Sequence, residues 1–244
     1  MRKVLSYMRR AVDDYALIED GDVIAVGVSG GKDSLVTLAG LNALKKFYPK
    51  NFKIFGITLD MGFEGANFDA ISDFCKQNDI EYYVKKTEIG KIIFDIRKEA
   101  NPCSLCARMR RGALNDEAKA LGANKVALGH NFDDAVETFM LNLFYEGRLG
   151  CFSPKTYLSK TDISVIRPLI YMYEREAAGA ANRLSLPVTA SLCPANKNTE
   201  REAIKLLLRD LEKENKGLRN RIFGAMVRGN INGLGEILKG DNQE

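Results

Sequence analysis

The sequence has no apolar run long enough to cross a membrane. Hydrophobic residues make up 45% of the 244 positions, but charged residues interrupt them well before the roughly 20 apolar residues that a membrane helix needs. The start, Met1-Arg2-Lys3, leads into a mixed segment rather than into the apolar core of a signal peptide. We therefore expect a cytoplasmic protein with no membrane partner.

Cysteines are few and odd in number, which argues against a disulfide framework. There are five of them, and a chain without an export signal is expected in a reducing compartment. Cys75 lies in a helix-like segment between hydrophobic neighbours, where we expect a small buried residue. Cys151 lies in a predicted loop and receives no role. Metal or thiol chemistry is the alternative for Cys103, Cys106 and Cys193.

The chain also has no internal repeat, no low-complexity segment and no linker long enough to separate independent domains. Its length suffices for one large α/β core with additions. We expect an N-terminal helix in residues 1–22, an α/β domain in 23–190, and a helical tail in 191–244 packed on that domain. The 36 basic and 32 acidic residues give a net charge of +4, which permits nucleic-acid binding without requiring it.

Strand-like and helix-like segments alternate along the chain. The strand-like segments are Val23–Val28, Lys53–Asp60, Glu81–Lys85, Lys125–Gly129 and Ser164–Arg167. The helix-like segments are Leu35–Lys46, Ala66–Asn78, Ile89–Lys98, Arg108–Leu121 and Ala135–Tyr145. Helices are also predicted at the two ends, over Val4–Leu17, Glu174–Leu184, Thr199–Glu214 and Leu218–Arg228. The alternation predicts an α/β fold in which helices cover both faces of a twisted parallel sheet.

Residues 29–34, with the sequence SGGKDS, form what we call the glycine loop, between a predicted strand and a predicted helix. Backbone N–H groups and the positive end of the helix dipole make such a turn an anion site. Gly30 and Gly31 let a phosphate approach closely, and Lys32 adds a mobile positive charge. A Walker A loop is excluded because Asp33 follows Lys32, and a Rossmann fingerprint because Ser29 replaces its second glycine.

A second motif is Cys103-Ser104-Leu105-Cys106, preceded by Pro102 and followed by Arg108, Arg110 and Arg111. Two thiols at this spacing can bind one metal, and the arginines favour thiolates and attract anions. Cys193 is a candidate third sulfur. A redox dithiol and a zinc site are both alternatives for this motif. A zinc site with four protein ligands would need Cys75, Cys151 or His130 as its fourth ligand.

A third motif, Gly129-His130-Asn131-Phe132-Asp133-Asp134, follows a predicted strand. The carboxyl ends of parallel strands share one edge, so we expect His130 to lie near the glycine loop. Asp133 and Asp134 are candidate ligands for Mg²⁺, which prefers hard oxygen atoms. The alternative is that Asp133 is the helix N-cap and that Asp134 favours the helix dipole. For His130, the only histidine, a structural and a catalytic role are both open.

The glycine loop resembles the PP-loop of ATP pyrophosphatases. The full order of motifs, including Ile166-Arg167-Pro168-Leu169 and a late cysteine, resembles the TtcA family of tRNA 2-thiolating enzymes over about residues 23–209. That resemblance implies that ATP, assisted by Mg²⁺, adenylates the C2 oxygen of a pyrimidine in tRNA, after which sulfur replaces the adenylate. The expected product is 2-thiocytidine.

The resemblance also implies a [4Fe-4S] cluster bound by Cys103, Cys106 and Cys193, with one iron free to bind the sulfur. Iron–sulfur clusters are held by thiolates. It places Arg110, Cys103, Cys106, Asp133 and Asp134 among the catalytic residues. The implied nucleotide contacts are Val28, Ser29, Gly30, Gly31, Lys32, Asp33, Ser34, Thr58, Asp60, Gly129 and His130. Implied partners are tRNA, a sulfur donor (sulfide or a persulfide carrier) and a second copy of the chain.

The sequence departs from the family in two respects. Ala190 stands where the first cysteine of a late Cys-x-x-Cys pair is found in many members. Paired zinc-binding cysteine motifs, found at both ends of a related branch, do not occur. The alternative functions are a lysidine-synthetase-like ligase with a zinc site, and a non-catalytic metal- or redox-sensing adaptor.

Overall fold

The computed structural model describes residues 1–97, 102–194 and 200–238. Its strands are β1 (Asp22–Gly27), β2 (Phe52–Asp60), β3 (Glu81–Lys86), β4 (Lys125–Ala127), β5 (Lys155–Leu158) and β6 (Ile163–Ile166). They form one sheet in the order β3-β2-β1-β4-β6-β5. All neighbouring pairs are parallel except β5 and β6. The predicted α/β fold is confirmed.

Helices surround this sheet. They are α1 (Arg2–Asp14), α2 (Lys32–Leu44), α3 (Asp69–Gln77), α4 (Ile89–Lys91), α5 (Pro102–Ala120), α6 (Phe132–Tyr145), α7 (Glu174–Arg183), α8 (Glu200–Glu214) and α9 (Leu218–Arg228). A π-helical segment, Ile92–Arg97, continues α4, and a short 3₁₀ turn spans Ile231–Gly233. Within the described residues, none of these helices is long and apolar enough to cross a bilayer.

The antiparallel strand β5 was not predicted, and the sheet is therefore mixed rather than wholly parallel. This edge strand has four residues, which are half-buried or exposed, so it lacks the buried apolar run that indicates a central strand. The predicted start of the fourth central helix at Arg108 is also wrong, because α5 begins at Pro102. Cys103 and Cys106 consequently lie on a helix. The predicted end of one helix at Lys98, the predicted start of another at Thr199, and residues 239–244 lie outside the described residues.

Side chains of β1 point to both faces of the sheet, as its period of two requires. Ile24 and Val26 belong to the larger hydrophobic core, which also includes residues of α1, α2 and α7. Ala25 belongs to a smaller core that includes Ala118 of α5. Both faces are therefore buried, which explains the continuous apolar character of this strand. The division into segments 1–22, 23–190 and 191–244 stays a prediction.

A buried ion pair stabilises the end of the sheet where β1 begins. Lys125 Nζ lies 2.7 Å from Asp22 Oδ2, and both side chains are 3% exposed. Replacing Lys125 with methionine leaves the buried Asp22 charge unpaired, so we expect a loss of about 3–5 kcal/mol in the free energy of unfolding. Urea denaturation measures it. Lys119→Met, which breaks the exposed pair with Asp162, should cost less than about 1 kcal/mol; equal losses would contradict the prediction.

Candidate active site

A cleft of about 770 Å³ opens at the carboxyl ends of β1, β2 and β4. Its wall contains many of the predicted site residues: Val28, Ser29, Asp33, Ser34, Thr58, Cys106, Arg110, Gly129, His130, Asp134 and Cys193. The other predicted site residues are not among the residues that line the cleft: Gly30, Gly31, Lys32, Asp60, Cys103 and Asp133. The three motifs therefore meet at one edge of the sheet, as expected for ligand sites of open parallel sheets.

The glycine loop is fixed by its own serines. Ser34 Oγ accepts a hydrogen bond from Ser29 N at 3.1 Å and donates one to the carbonyl oxygen of Gly31 at 2.8 Å. Gly30 has a φ of +81°, and a Cβ at this position would collide with Thr189 Oγ1, so only glycine fits there. Gly31 is the N-cap residue of α2, and the first backbone N–H groups of that helix are available for an anion.

The Lys32 ammonium lies between two carboxylates. Its Nζ donates to Asp33 Oδ2 and to Glu174 Oε1, both at 3.0 Å. Lys205 Nζ approaches the second oxygen of Glu174 at 2.8 Å. Burial lowers the pKa of Lys32, but the Asp33 and Glu174 carboxylates outweigh that effect, and the net direction is upward. Lys32 therefore carries a permanent positive charge within the glycine loop.

The start of α6 differs from the prediction. Asn131 is its N-cap residue, so the alternative in which Asp133 is the N-cap is wrong. The Asn131 side chain accepts from Asp134 N at 3.1 Å, and Asp134 Oδ2 accepts from Asn131 N at 2.9 Å. This reciprocal pair is a capping box. Asn131 Nδ2 also donates to Asp33 Oδ1 at 3.2 Å, which connects the start of α6 to the glycine loop.

Asp133 and Asp134 are both paired with arginines of the C-terminal helices. Asp133 Oδ1 accepts from Arg219 at 2.6 Å, and its Oδ2 accepts from Glu174 N at 2.6 Å. Asp134 Oδ1 accepts from Arg201 Nη2 at 2.6 Å. Asp134 lines the cleft together with Arg201, whereas Asp133 lies behind it. Of the two aspartates, Asp134 is thus the one placed to meet a ligand.

His130 lies in the wall of the cleft, with its ring 4.8 Å from that of Phe152. Burial is the main cause that lowers its pKa to about 3, and the positive charges of Arg167, Arg201 and Arg111 contribute to the same shift. The imidazole is therefore neutral at physiological pH. Its Nδ1 is buried and has no hydrogen-bond partner within the described part of the chain. It can form a hydrogen bond with a ligand but cannot supply a positive charge.

The three candidate sulfur ligands lie near one another. Cys103 is exposed, and Cys106 and Cys193 are half-buried. Burial raises the pKa of Cys106, the Arg110 guanidinium lowers it, and the neighbouring thiols of Cys193 and Cys103 raise it. Within residues 1–97, 102–194 and 200–238, no group of three or more Cys, His, Asp or Glu side chains is close enough to bind one metal ion. Binding a single metal ion would therefore require these side chains to move closer together.

The other two cysteines have structural surroundings. Burial raises the pKa of Cys75 to about 11 and that of Cys151 to about 12. The Cys151 thiol also donates to the carbonyl oxygen of Ala135 at 3.3 Å. Neither Cys75 nor Cys151 is among the residues that line the cleft, whereas Cys106 and Cys193 are.

Thr58 and Asp60 lie at the carboxyl end of β2, and the side chains of both form hydrogen bonds within the chain. Thr58 Oγ1 donates to the carbonyl oxygen of Val28 at 2.8 Å and accepts from Tyr82 O–H at 2.7 Å. Asp60 Oδ1 accepts from Gly62 N at 2.9 Å and so fixes the turn after the strand. Val28 and Thr58 line the cleft, whereas the Asp60 carboxylate serves the turn. A ribose contact of Asp60 stays a prediction.

The sequence analysis missed several polar residues of this site. Asn131 had a local signal, because an Asn three residues before an Asp at a helix start is typical of a capping box. The other missed residues come from the C-terminal half of the chain: Glu174, Arg201, Lys205 and Arg219. They contact the site only through the packing of α7, α8 and α9, for which the local sequence contains no signal.

Comparison with known proteins places the chain in a family. Residues 4–206 match the family model of a PP-loop domain. The tRNA-cytidine(32) 2-sulfurtransferase of Geobacter sulfurreducens is 38% identical over 233 residues, covering 94% of this chain and 90% of that protein. The enzyme of the same name from Geobacter metallireducens is 39% identical over 229 residues, covering 93% and 89%.

A solved structure agrees with these relatives. The U34-tRNA thiolase NcsA from Methanococcus maripaludis, determined with its [4Fe-4S] cluster, superimposes with a TM-score of 0.76 at 27% identity, covering 93% of this chain and 77% of that one. Sequence relatives, the structural neighbour and the glycine loop all indicate the same group. The chain belongs to the PP-loop family and, within it, to the TtcA group of tRNA 2-thiolating proteins.

Proposed function

We propose that this chain is an ATP-dependent tRNA 2-thiolase that converts a cytidine of tRNA to 2-thiocytidine. The observation that supports this function best is that one cleft is lined both by the glycine loop serines and by Cys106 and Cys193. An ATP site and candidate sulfur ligands facing one cavity suit a two-step reaction on one base. The relatives named tRNA-cytidine(32) 2-sulfurtransferase support cytidine as the base.

In the first step, the C2 oxygen of the base attacks the α-phosphorus of ATP. An oxygen–phosphorus bond forms, the bond between the α-phosphorus and the bridging oxygen breaks, and pyrophosphate leaves. The glycine loop and the N-terminus of α2 would bind the departing pyrophosphate, and Lys32 would stabilise its charge. In the second step, sulfur replaces the adenylate at C2, and AMP leaves with the oxygen.

Mg²⁺ is part of the proposal, with Asp33 and Asp134 as its protein ligands. A magnesium ion bound to nucleotide needs one or two carboxylates, the remaining ligands being phosphate oxygens and water. Asp33 and Asp134 both line the cleft, and Asn131 links their positions through hydrogen bonds to each. Asp133 fits less well, because Asp134 lines the cleft and Asp133 is not among the lining residues.

A [4Fe-4S] cluster on Cys103, Cys106 and Cys193 is the second proposed cofactor. The thiolate chemistry of the three residues suits iron–sulfur binding, and Arg110 beside Cys106 favours a negatively charged group there. When bound by three cysteines, such a cluster supplies one iron with an open position that can bind the sulfur to be transferred. Arg110 and Arg111 line the same cleft and would bind a phosphate of tRNA or orient the base.

The finer assignments belong to the same proposal. The sulfur donor is sulfide or a persulfide carrier, the protein acts in the cytoplasm, and two copies of the chain associate. Each follows from the family resemblance, and each can be tested on purified protein or in cells.

The proposed function predicts that wild-type protein, reconstituted anaerobically with iron and sulfide, forms both adenylated tRNA and 2-thiocytidine in a single turnover. Labelled ATP and unmodified tRNA report the first product, and mass spectrometry of digested tRNA reports the second. Lys32→Ala should weaken Mg²⁺-ATP binding about 10- to 100-fold, because a charge-assisted hydrogen bond to phosphate is worth about 1.5–3 kcal/mol.

The matched control is Lys46→Ala, which removes an exposed lysine just beyond the other end of α2. Its nucleotide affinity should equal that of the wild type, and thermal unfolding should show both variants folded. Protein that binds zinc in place of iron, consumes ATP and forms no thiolated nucleoside would support the ligase alternative. Absence of any ATP turnover with tRNA would support the non-catalytic alternative.

A further inference from the structure

Arg201 is the cleft residue with the most direct connection to a proposed catalytic group. It is the second residue of α8, and its guanidinium lies in the wall of the cleft. Its Nη2 donates to Asp134 Oδ1 at 2.6 Å, and its Nε donates to Glu137 Oε2 at 3.3 Å. A guanidinium that binds two carboxylates one helical turn apart has its orientation fixed by both.

The two oxygens of Asp134 are therefore held from opposite directions. Oδ2 is fixed locally by the capping box with Asn131, and Oδ1 is fixed by Arg201 from another helix. Without Arg201, rotation about the last side-chain bond of Asp134 would be limited by a single hydrogen bond.

Helix α8 is itself firmly placed. Ile204 and Leu208 are buried in the main core. One turn after Arg201, Lys205 binds Glu174, which in turn binds Lys32 of the glycine loop. The helix thus directs two cations, four residues apart, toward acidic groups on two sides of the ATP site. This arrangement requires Arg201 to stay in position while the cleft binds its ligands.

We propose that Arg201 is a positioning residue for Mg²⁺-ATP, which orients the Asp134 carboxylate toward the metal and makes no contact with the nucleotide itself. The inference rests on the proposed function because it requires nucleotide to bind beside Asp134. Partners that hydrogen-bond to a metal-ligating carboxylate typically contribute 10- to 100-fold to metal affinity or activity. Arg201 acts through Asp134, and its effect should disappear when that carboxylate is absent.

The test is calorimetric titration of the full-length protein with ATP, once in excess Mg²⁺ and once in EDTA. Arg201→Met keeps an unbranched apolar side chain and removes the guanidinium charge. We expect it to weaken ATP binding in Mg²⁺ about 10- to 100-fold and to leave binding in EDTA unchanged. Arg201→Lys should recover part of the loss, because an ammonium can reach one carboxylate oxygen but cannot reproduce the planar fork.

A double-mutant cycle distinguishes action through Asp134 from an independent effect. Asp134→Asn should reduce the Mg²⁺-dependent affinity to a similar extent, and adding Arg201→Met to it should produce no further loss. The matched control is Arg9→Met, which breaks an exposed arginine–aspartate pair on α1 and should leave both titrations unchanged. Thermal unfolding of every variant confirms that the comparison is made on folded protein.

Three results would overturn the inference. Equal losses in Mg²⁺ and in EDTA would indicate that Arg201 contacts the nucleotide directly. Additive losses in the double variant would indicate a role independent of Asp134, and a wild-type affinity that does not respond to Mg²⁺ would remove the metal from the site. Failure of the proposed function is a separate result: the wild type would then bind Mg²⁺-ATP with the expected variant pattern but form no adenylated tRNA.

Discussion

Replacing Cys103, Cys106 or Cys193 with alanine is expected to abolish the broad visible absorbance of anaerobically purified protein and the formation of 2-thiocytidine. Each thiolate is one of three proposed cluster ligands, and loss of one leaves too few to hold the cluster. Adenylation of tRNA should persist in Cys103→Ala, because Cys103 is exposed and is not among the residues that line the cleft. Absorbance spectra, iron analysis and mass spectrometry of tRNA nucleosides measure these outcomes.

The chain supplies matched controls for this experiment. Cys75→Ala and Cys151→Ala remove thiols whose pKa burial raises to about 11 and about 12, and both proteins should keep the absorbance. Full cluster content in Cys193→Ala would refute its assignment as a ligand. Thiolation that persists in protein without a cluster would refute the iron–sulfur mechanism.

Replacing Gly129 with alanine is expected to destabilise the protein and to weaken ATP binding strongly. A Cβ at this position would lie 2.8 Å from the carbonyl carbon of Asp33, 2.9 Å from its oxygen and 2.9 Å from Ser34 N. These are backbone atoms of the first turn of α2, and they cannot rotate away as a flexible side chain would. Overpacking of this kind costs about 1–3 kcal/mol, and the only relief is a shift of the glycine loop itself.

Urea denaturation and ATP titration measure the two effects of Gly129→Ala. Gly112→Ala is the matched control, because Gly112 lies inside α5 and a Cβ there would meet no atom within 4 Å. An alanine within a helix is more stable than a glycine by about 0.5–1 kcal/mol, so this variant should be slightly stabilised. A fully stable Gly129→Ala protein with normal ATP affinity would show that the two loops are not packed as described.

The central strands were predictable because their signal is local. The segment 23–28 is apolar throughout, as a strand buried on both faces must be, and the observed β1 agrees with it within one residue at each end. Strand β5 lacks such a run, since its four residues pair only with β6 at the edge of the sheet. The early start of α5 had an overlooked local signal, because Pro102 is favoured in the first turn of a helix.

The candidate site was predictable only in part, for a related physical reason. The glycine loop and the residues 129–134 are recognised from contiguous letters, because their chemistry depends on a strand end and a helix start. The pairing of Asp134 with Arg201 joins residues that are far apart in the chain. Such a pair depends on how α6 packs against α8, and in the sequence alone Arg201 is indistinguishable from a solvent-exposed cation of an amphipathic helix.

The hydrogen bonds that fix the glycine loop come from the chain itself, and this affects how tightly ATP can bind. Ser34 bridges Ser29 and Gly31, and Asn131 ties Asp33 to the start of α6. Ordering a mobile loop on binding would cost about 1–2 kcal/mol of backbone entropy per residue. Here that entropy is already lost when the protein folds, so the contacts with phosphate contribute to affinity without an opposing cost of ordering the loop.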